Sequence, residues 1–315
     1  MNLAFVFPGQ GSQSVGMLAD YGAHTVVKAT FDEASDVLGQ DLWALVQDGP
    51  GDALNQTVNT QPVMLAAGVA VWRAWQSVGG PRPAIVAGHS LGEYTALVAA
   101  GALLFRDALP LVRFRAEAMQ QAVPAGVGAM AAILGLDDAG VAAACREAAQ
   151  GQVVEPVNFN APAQVVIAGN KEAVERAVAA AKARGAKRAL LLPVSAPFHS
   201  SLLKPAAERL ATRLAEVQFI TPTIPVLHNV DVDEKPAADA IRAALARQAA
   251  SPVRWVETIQ AFAFRGVTHM VECGPGKVLT GLSRKIVPDV QSYALSDDDA
   301  IASTLSEIGA GSASE

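Results

Sequence analysis

The residues best suited to chemistry lie in Gly88-His89-Ser90-Leu91-Gly92, a G-x-S-x-G pattern. An apolar run at residues 84–87 precedes it and reads as a buried strand, while "EYTALVAAGALL" follows it and reads as a helix. So tight a turn between strand and helix lifts a serine oxygen above the end of a sheet, where it can attack a carbonyl carbon. The same five residues could instead be a structural turn in a chain rich in Ala and Gly. A nucleophilic Ser90 therefore requires a base, oxyanion donors and a substrate-binding group from elsewhere.

Five histidines could supply the base. His24 lies in an early helical region and His269 in the strand-like "THMVEC", both positions that suit structural histidines. His89 adjoins the serine, so its ring should point away from it. His228 ends the strand-like "TIPVLHN" and could reach the same sheet edge. His199, in "VSAPFHSSLLKPAAERL", sits on a connector stiffened by Pro197, with Ser200 or Ser201 placed to cap the next helix. A loop at such a junction favours His199 over His228 as the base. No acid partner announces itself between Ser90 and His199, which points to a dyad whose histidine is oriented by a backbone carbonyl.

Arg115 has a different logic. In the helix-like "RDALPLVRFRAEAMQQ", Ala108, Val112, Arg115 and Met119 fall on one face by i, i+3, i+4 spacing, while Arg113 falls on another and can pair with Glu117. Arg115 thus points where apolar residues point, and a guanidinium cannot be stripped of water there without a partner. That partner is either an internal Asp or Glu, or a substrate carboxylate held by two parallel hydrogen bonds.

Other patterns fail their tests. "FPGQGSQSVG" has Ser14 where a G-x-G-x-x-G phosphate loop needs its last glycine, and "CGPGKVL" has Val278 where a P-loop needs Ser or Thr. After a first strand, however, the backbone N–H of Gln10 could face the elbow and form, with that of Leu91, a two-donor oxyanion hole. No His, Cys or carboxylate cluster has the spacing of metal ligands.

These residues need a scaffold to position them. "LAFVF" reads as a first strand, and "TQPVMLAAGVAVWRAWQSVGG" as a helix with Thr60 as N-cap and Pro62 in its first turn. Strands alternating with helices predict a parallel sheet covered on both faces. The middle of the chain changes pattern: "GAMAAILGL", "DDAGVAAACREAAQ", "VVEPVNFN", "AQVVIAGN", "KEAVERAVAAAKARG" and "KRALLLPVS" read as β-α-β-β-α-β. The expected architecture is α/β, with a catalytic core of residues 1–123 and 195–315 and an inserted ferredoxin-like subdomain at 124–194. Such an insertion would wall a cleft over the active edge of the sheet. The tail "GAGSASE" should fray.

With 315 residues, 51% of them apolar and 17% charged, the chain can build a large core. A net charge of −6 argues against nucleic acid as a general partner. Lys182, Arg184, Lys187 and Arg188 could meet an acidic protein, although such a run is commonly just a solvated face. Two distant cysteines form no framework, and the N-terminus lacks a basic segment, which predicts a soluble cytoplasmic protein without membrane attachment.

Taken in order, "FVFPGQGSQ", "TQPVM", "GHSLGEY", "NFNAPAQVVIAG", "APFH" and "GPGKVLTGL" extend over nearly the whole chain. In these motifs the sequence resembles the malonyl-CoA:acyl-carrier-protein transacylases of bacterial fatty-acid synthesis. The resemblance implies a hydrolase-like α/β core carrying a ferredoxin-like insertion. It implies Ser90 as the acyl-accepting nucleophile, His199 as its base, Arg115 as the binder of the malonyl carboxylate, and Gln10 and Leu91 as oxyanion donors. Gln248 in "RQAASPVRW" matches the position whose carbonyl orients the histidine, and Asn160 of "NFN" a position lining the acyl pocket. Phe198, immediately before the histidine, goes with malonyl specificity in related domains. No tightly bound cofactor is implied; coenzyme A enters as the thioester substrate, an acyl carrier protein is the partner, and a monomer is expected. The elbow alone would also serve an esterase or thioesterase, and the same transfer could load a polyketide or malonate-decarboxylase carrier. A non-catalytic carrier-docking module would have no need of Ser90, His199 and Arg115 together.

Overall fold

The first strand, β1 (Leu3–Phe7), is buried at all five positions, as a strand covered on both faces must be. Alternation divides it between two cores. Leu3, Phe5 and Phe7 enter the larger one, where Phe5 meets the edges of Trp72 and Trp75. Ala4 and Val6 enter a smaller one with Trp255, Ile259 and Phe262. A computed structural model describes residues 2–21, 24–194 and 196–312. The remaining strands are β2 (Ile85–Gly88), β3 (Gly128–Leu134), β4 (Val154–Ala161), β5 (Gln164–Asn170), β6 (Arg188–Leu191), β7 (Val226–Leu227), β8 (His269–Cys273) and β9 (Gln291–Leu295).

The architecture is mixed α/β. A five-stranded sheet runs β7-β2-β1-β8-β9, every pairing parallel. A separate sheet runs β4-β5-β3-β6, every pairing antiparallel. Helices Asp138–Ala149 and Lys171–Ala183 cover one face of the second sheet through Val141, Cys145, Val174 and Ala177. Met130, Val166 and Ala168, which alternate with that face, instead join the larger core. Backbone hydrogen bonds Phe159 N–H to Val253 O (3.0 Å) and Val253 N–H to Val157 O (2.8 Å) tie β4 to the chain beyond residue 250.

The parallel sheet brings three loops to one edge. The segments after β1, β2 and β7 begin at Pro8, His89 and His228, and these strands are neighbours in the sheet. The carboxyl ends of adjacent parallel strands are where open α/β sheets bind ligands.

Several local expectations are corrected. The long helix spans Thr57–Ser77 with Gln56 at its N-cap. Thr60 lies inside it because its hydroxyl donates to Leu54 O at 2.6 Å rather than capping, and Pro62 falls in the second turn. The strand read at 187–195 is only Arg188–Leu191, and Ser195 lies outside the described residues. The tail is helical to Ser312, with residues 313–315 outside the described set. Arg113 donates to Gln40 Oε1 instead of forming an ion pair with Glu117. Among the described residues no helix is long and apolar enough to cross a membrane.

Both glycines of the elbow are demanded by close approach. A methyl group on Gly88 would lie 1.8 Å from the carbonyl carbon of Gly92, and one on Gly92 would lie 2.0 Å from Phe7 O. The turn can therefore press against β1 only without side chains there. Gly92→Ala should cost more than the ~1–3 kcal/mol of ordinary overpacking, seen as a collapse of the urea midpoint or loss of folded protein. Gly281→Ala, whose methyl would meet nothing within 4 Å, should be neutral or stabilise by up to about 1 kcal/mol.

Candidate active site

Ser90 sits between β2 and the helix Gly92–Ala99 with φ +52°, and His199 has φ +65°. Both are left-handed conformations that non-glycine residues adopt at a cost of order 1 kcal/mol or more. Side chains hold the serine there. Its N–H donates to Asn229 Oδ1 (2.7 Å), and its carbonyl accepts from Gln248 Nε2 (2.9 Å). Asn229 also donates through Nδ2 to Gly88 O (2.7 Å), clamping the turn from both sides.

The serine oxygen meets His199 Nε2 at 2.7 Å, and His199 Nδ1 meets the backbone carbonyl of Gln248 at 2.8 Å. A carbonyl only accepts, so Nδ1 carries the proton and Nε2 presents a lone pair to the Ser90 hydroxyl. The ring is 3% exposed. Burial, reinforced by the Arg115 charge, pushes its pKa down to about 3. It is thus a neutral base over the whole physiological range.

Arg115, on the helix Phe105–Gln121, is 2% exposed. Its Nη1 donates to Gln61 Oε1 (2.8 Å), and its Nη2 to Gln248 Oε1 (2.9 Å) and Ser90 Oγ (3.2 Å). The guanidinium lies over the Tyr94 ring at 5.5 Å, and its Nε is buried without an acceptor among the described residues. The internal salt bridge weighed from sequence is absent in direct form among the described residues. Instead Gln248 Nε2 donates to Glu93 Oε2 (2.9 Å), so the carboxylate stands one side-chain amide away from the cation.

Glu93 anchors this arrangement. Fully buried, it accepts from His228 Nδ1 (2.7 Å), Asn229 N–H (2.9 Å) and Gln248. His228, the alternative base, is therefore spent on Glu93. His89 turns from the serine, as its position requires. Its Nε2 pairs with Asn160 Oδ1 at 2.8 Å, and its ring packs edge-on against Trp255. Neither serine after His199 caps through its side chain: the Ser200 hydroxyl donates to Pro197 O (2.7 Å), and Ser201 donates its N–H and hydroxyl to the Glu155 carboxylate at 2.8 Å.

Gln10, Gln61, Leu91, Arg115, Phe198 and His199 share one cavity with Ser90. Met119, Met130, Leu192 and Val194 complete its apolar wall. Asn160, expected in the acyl pocket, is not among the lining residues, its amide being turned to His89; Asn158, two residues earlier on β4, lines the cavity instead. Among the described residues, no group accepts from the backbone N–H of Gln10 or Leu91. No cluster of three or more His, Cys, Asp or Glu among them is placed to hold a metal ion.

Sequence reasoning missed Glu93, Asn229, Gln61 and Asn158. Glu93 carried a signal: a carboxylate opening an otherwise apolar helix must find buried partners. Asn229 follows a strand that ends beside the elbow. Gln61 is a polar residue on a helix buried nearly all round.

A strand–helix serine, a neutral histidine and a buried cation in one cavity define an α/β acyl-transfer site, and residues 4–295 match the family model for the acyl transferase domain. The chain belongs to this acyl transferase family and, within it, to the malonyl-CoA:acyl-carrier-protein transacylases. It is 60% identical over 303 residues to the malonyl CoA-acyl carrier protein transacylase of Escherichia coli (strain K12), covering 96% of this chain and 98% of that one. Identity to the Bacillus subtilis (strain 168) protein of the same name is 45% over 301 residues, 95% of each chain. The crystal structure of the acyl-carrier-protein S-malonyltransferase from Burkholderia pseudomallei 1710b superposes with a TM-score of 0.96 at 62% identity, covering 97% of this chain and all of that one. A malonyl-transacylase solved in complex with a type II polyketide acyl-carrier protein gives 0.96 at 55% identity, covering 98% of this chain and 100% of that chain.

Two outcomes follow from the geometry. Asn229→Ala leaves Ser90 N–H and Gly88 C=O without their Asn229 partner at roughly 1–3 kcal/mol each; urea unfolding should show about 2–6 kcal/mol lost, with Ser90 acylation falling at least tenfold. A neutral serine-directed sulfonyl fluoride reports the base of the free enzyme. Because the depressed His199 keeps its lone pair until pH falls towards 3, the labelling rate should stay flat from pH 8 to about 5. A midpoint near the ordinary imidazole value of about 6.5 would contradict this.

Proposed function

We propose that this chain moves a malonyl group from coenzyme A to the phosphopantetheine thiol of an acyl carrier protein through a malonyl ester on Ser90. The observation that carries this reading is Arg115: a buried guanidinium beside the nucleophile, held among the described residues by amide and hydroxyl oxygens. Such a cation is best satisfied by a carboxylate brought in by the substrate. An acetyl group brings none, and sites built around buried polar groups reject the analogue lacking the partner by up to ~10⁴-fold or more.

The chemistry follows in two half-reactions. Ser90 Oγ attacks the thioester carbonyl as its proton passes to His199 Nε2, and the Gln248 carbonyl holds the other end of the ring. The N–H groups of Gln10 and Leu91 hold the developing oxyanion, each worth ~10²–10³ in rate. The C–S bond breaks, and the His199 proton leaves with the coenzyme A sulfur. The carrier's thiol then gives its proton to His199 and attacks the ester carbonyl; the C–O bond breaks and Ser90 regains its proton. The kinetics are ping-pong. Phe198, with the methionines, forms the apolar part of the acyl pocket. Asn160 acts on the pocket indirectly by fixing His89, and Asn158 meets the acyl chain.

The antiparallel sheet is read as a ferredoxin-like insertion at residues 124–194 on a hydrolase-like core of 1–123 and 195–315. Numbering its strands one to four in chain order, the spatial order 4-1-3-2 supports that reading, as does the βαββαβ succession. In this reading it shields the ester from water, since Met130 of β3 and Leu192 and Val194 just beyond β6 line the Ser90 cavity. Coenzyme A is a substrate here, not a resident cofactor. We read the protein as a cytoplasmic monomer, consistent with two buried free thiols. A serine hydrolase would share the elbow, but Arg115 would serve no purpose in it.

Intact-mass spectrometry after brief mixing with malonyl-CoA should show a malonyl adduct on wild type that persists and moves to added holo carrier protein. Ser90→Ala should form none, and Arg115→Met should lose at least 10²-fold in malonylation rate, the scale of a lost charge-assisted pair. Release of free malonate without a lasting adduct would overturn the reading in favour of a hydrolase.

A further inference from the structure

The mechanism uses Arg115 only as a carboxylate binder, yet its Nη2 also donates to the nucleophile itself. Ser90 Oγ lies 3.2 Å from Arg115 Nη2 and 2.7 Å from His199 Nε2. Since His199 Nδ1 is committed as donor to the Gln248 carbonyl, the hydroxyl proton points to Nε2 and the guanidinium sits on a lone pair of the oxygen. A hydroxyl oxygen has two lone pairs; the guanidinium occupies one and, by drawing electron density from the oxygen, makes the other a poorer nucleophile towards a carbonyl. We propose that Arg115 restrains Ser90 in the substrate-free enzyme and that the carboxylate of the incoming acyl group releases it by taking over the guanidinium. This rests on the reading of Arg115 as the carboxylate partner and goes beyond it: the cation selects the substrate through the reactivity of the nucleophile as well as through binding.

The remaining donors of Arg115 favour such an exchange. Nη1 is fixed by Gln61, and Nη2 is shared between Gln248 and Ser90, while buried Nε–H has no acceptor among the described residues. A carboxylate that binds the fork of Nε–H and Nη2–H in two parallel bonds satisfies the orphan donor and competes with Ser90 Oγ for Nη2. Charge works in the same direction. Acylation turns His199 into an imidazolium next to a guanidinium, in a cavity where both groups are almost wholly shielded from water. Without a carboxylate on Arg115 the step places a second cation beside the first; with it, the guanidinium is already neutralised. The Arg115 charge is one of the causes that hold the His199 imidazole in its neutral form, so its neutralisation strengthens the base as the substrate arrives. An uncharged acyl thioester therefore meets a quenched oxygen and a weak base, and water entering the empty site meets the same.

Malonyl differs from acetyl by the carboxylate alone, so the two parts can be supplied separately. Wild-type protein is mixed with acetyl-CoA in the presence of sodium formate, or of sodium chloride at the same ionic strength, and Ser90 acetylation is followed by intact mass. Formate should accelerate acetylation saturably by about 10- to 100-fold, the worth of one hydrogen bond from a charged donor, and chloride should not. Arg115→Met, which fills the space without charge or donors, should acetylate faster than wild type without formate and be insensitive to it. Formate that leaves wild-type acetylation unchanged or slows it overturns the proposal. So does a folded Arg115→Met that acetylates no faster than wild type. A malonyl adduct that still forms in that case preserves the transacylase reading, whereas absence of any malonyl adduct on wild type is a failure of that reading.

Discussion

The structure of this site depends on one constraint: a buried guanidinium held by neutral amide and hydroxyl groups, with its compensating carboxylate one amide removed. A direct Arg115–Glu93 ion pair would satisfy the cation and leave nothing for a substrate to do. Interposing Gln248 divides the task. Its Oε1 solvates the guanidinium and its Nε2 solvates the carboxylate, while its backbone carbonyl orients His199. One residue thereby fixes the cation, the base and, through Ser90 O, the strained turn of the nucleophile. The cost of burying Glu93 is offset by three donors, from His228, Asn229 and Gln248.

The absence of a carboxylate on the histidine follows from the same constraint. A carboxylate on Nδ1 would stabilise imidazolium strongly, and it would also offer Arg115 an internal partner nearby. A neutral carbonyl fixes the tautomer without altering the charge balance of the cavity. The site then holds one cation awaiting an anion, with a base that stays neutral until chemistry begins. Electrostatics of this kind act at full strength because the groups are removed from water.

Much of this was legible in the sequence because it is written in local patterns. The elbow is a five-residue motif whose glycines touch Gly92 and Phe7 backbone atoms, and Arg115 betrayed itself by sitting on the apolar face of its helix. The order of strands and helices in the middle of the chain followed from hydrophobic periodicity alone. What escaped was set by long-range contact. Asn229 reaches Ser90 across 139 residues and Gln248 reaches Glu93 across 155, and no spacing rule links them. Thr60 was misjudged as a cap because the helix begins three residues earlier, and its hydroxyl donates to the carbonyls of Leu54 and of the N-cap residue Gln56. His228 could also reach the sheet edge; the junction loop favoured His199 over it, and the bond from His228 to buried Glu93 removes the alternative.

His199 is a neutral base held by a carbonyl next to a buried cation. Nitrogen-15 NMR of histidine-labelled protein, titrated between pH 8 and 5, tests it directly. The account predicts that the His199 ring stays uncharged throughout, with its proton on Nδ1 and a lone pair on Nε2. An imidazolium signal appearing near pH 6–7, or a proton resident on Nε2, would contradict it.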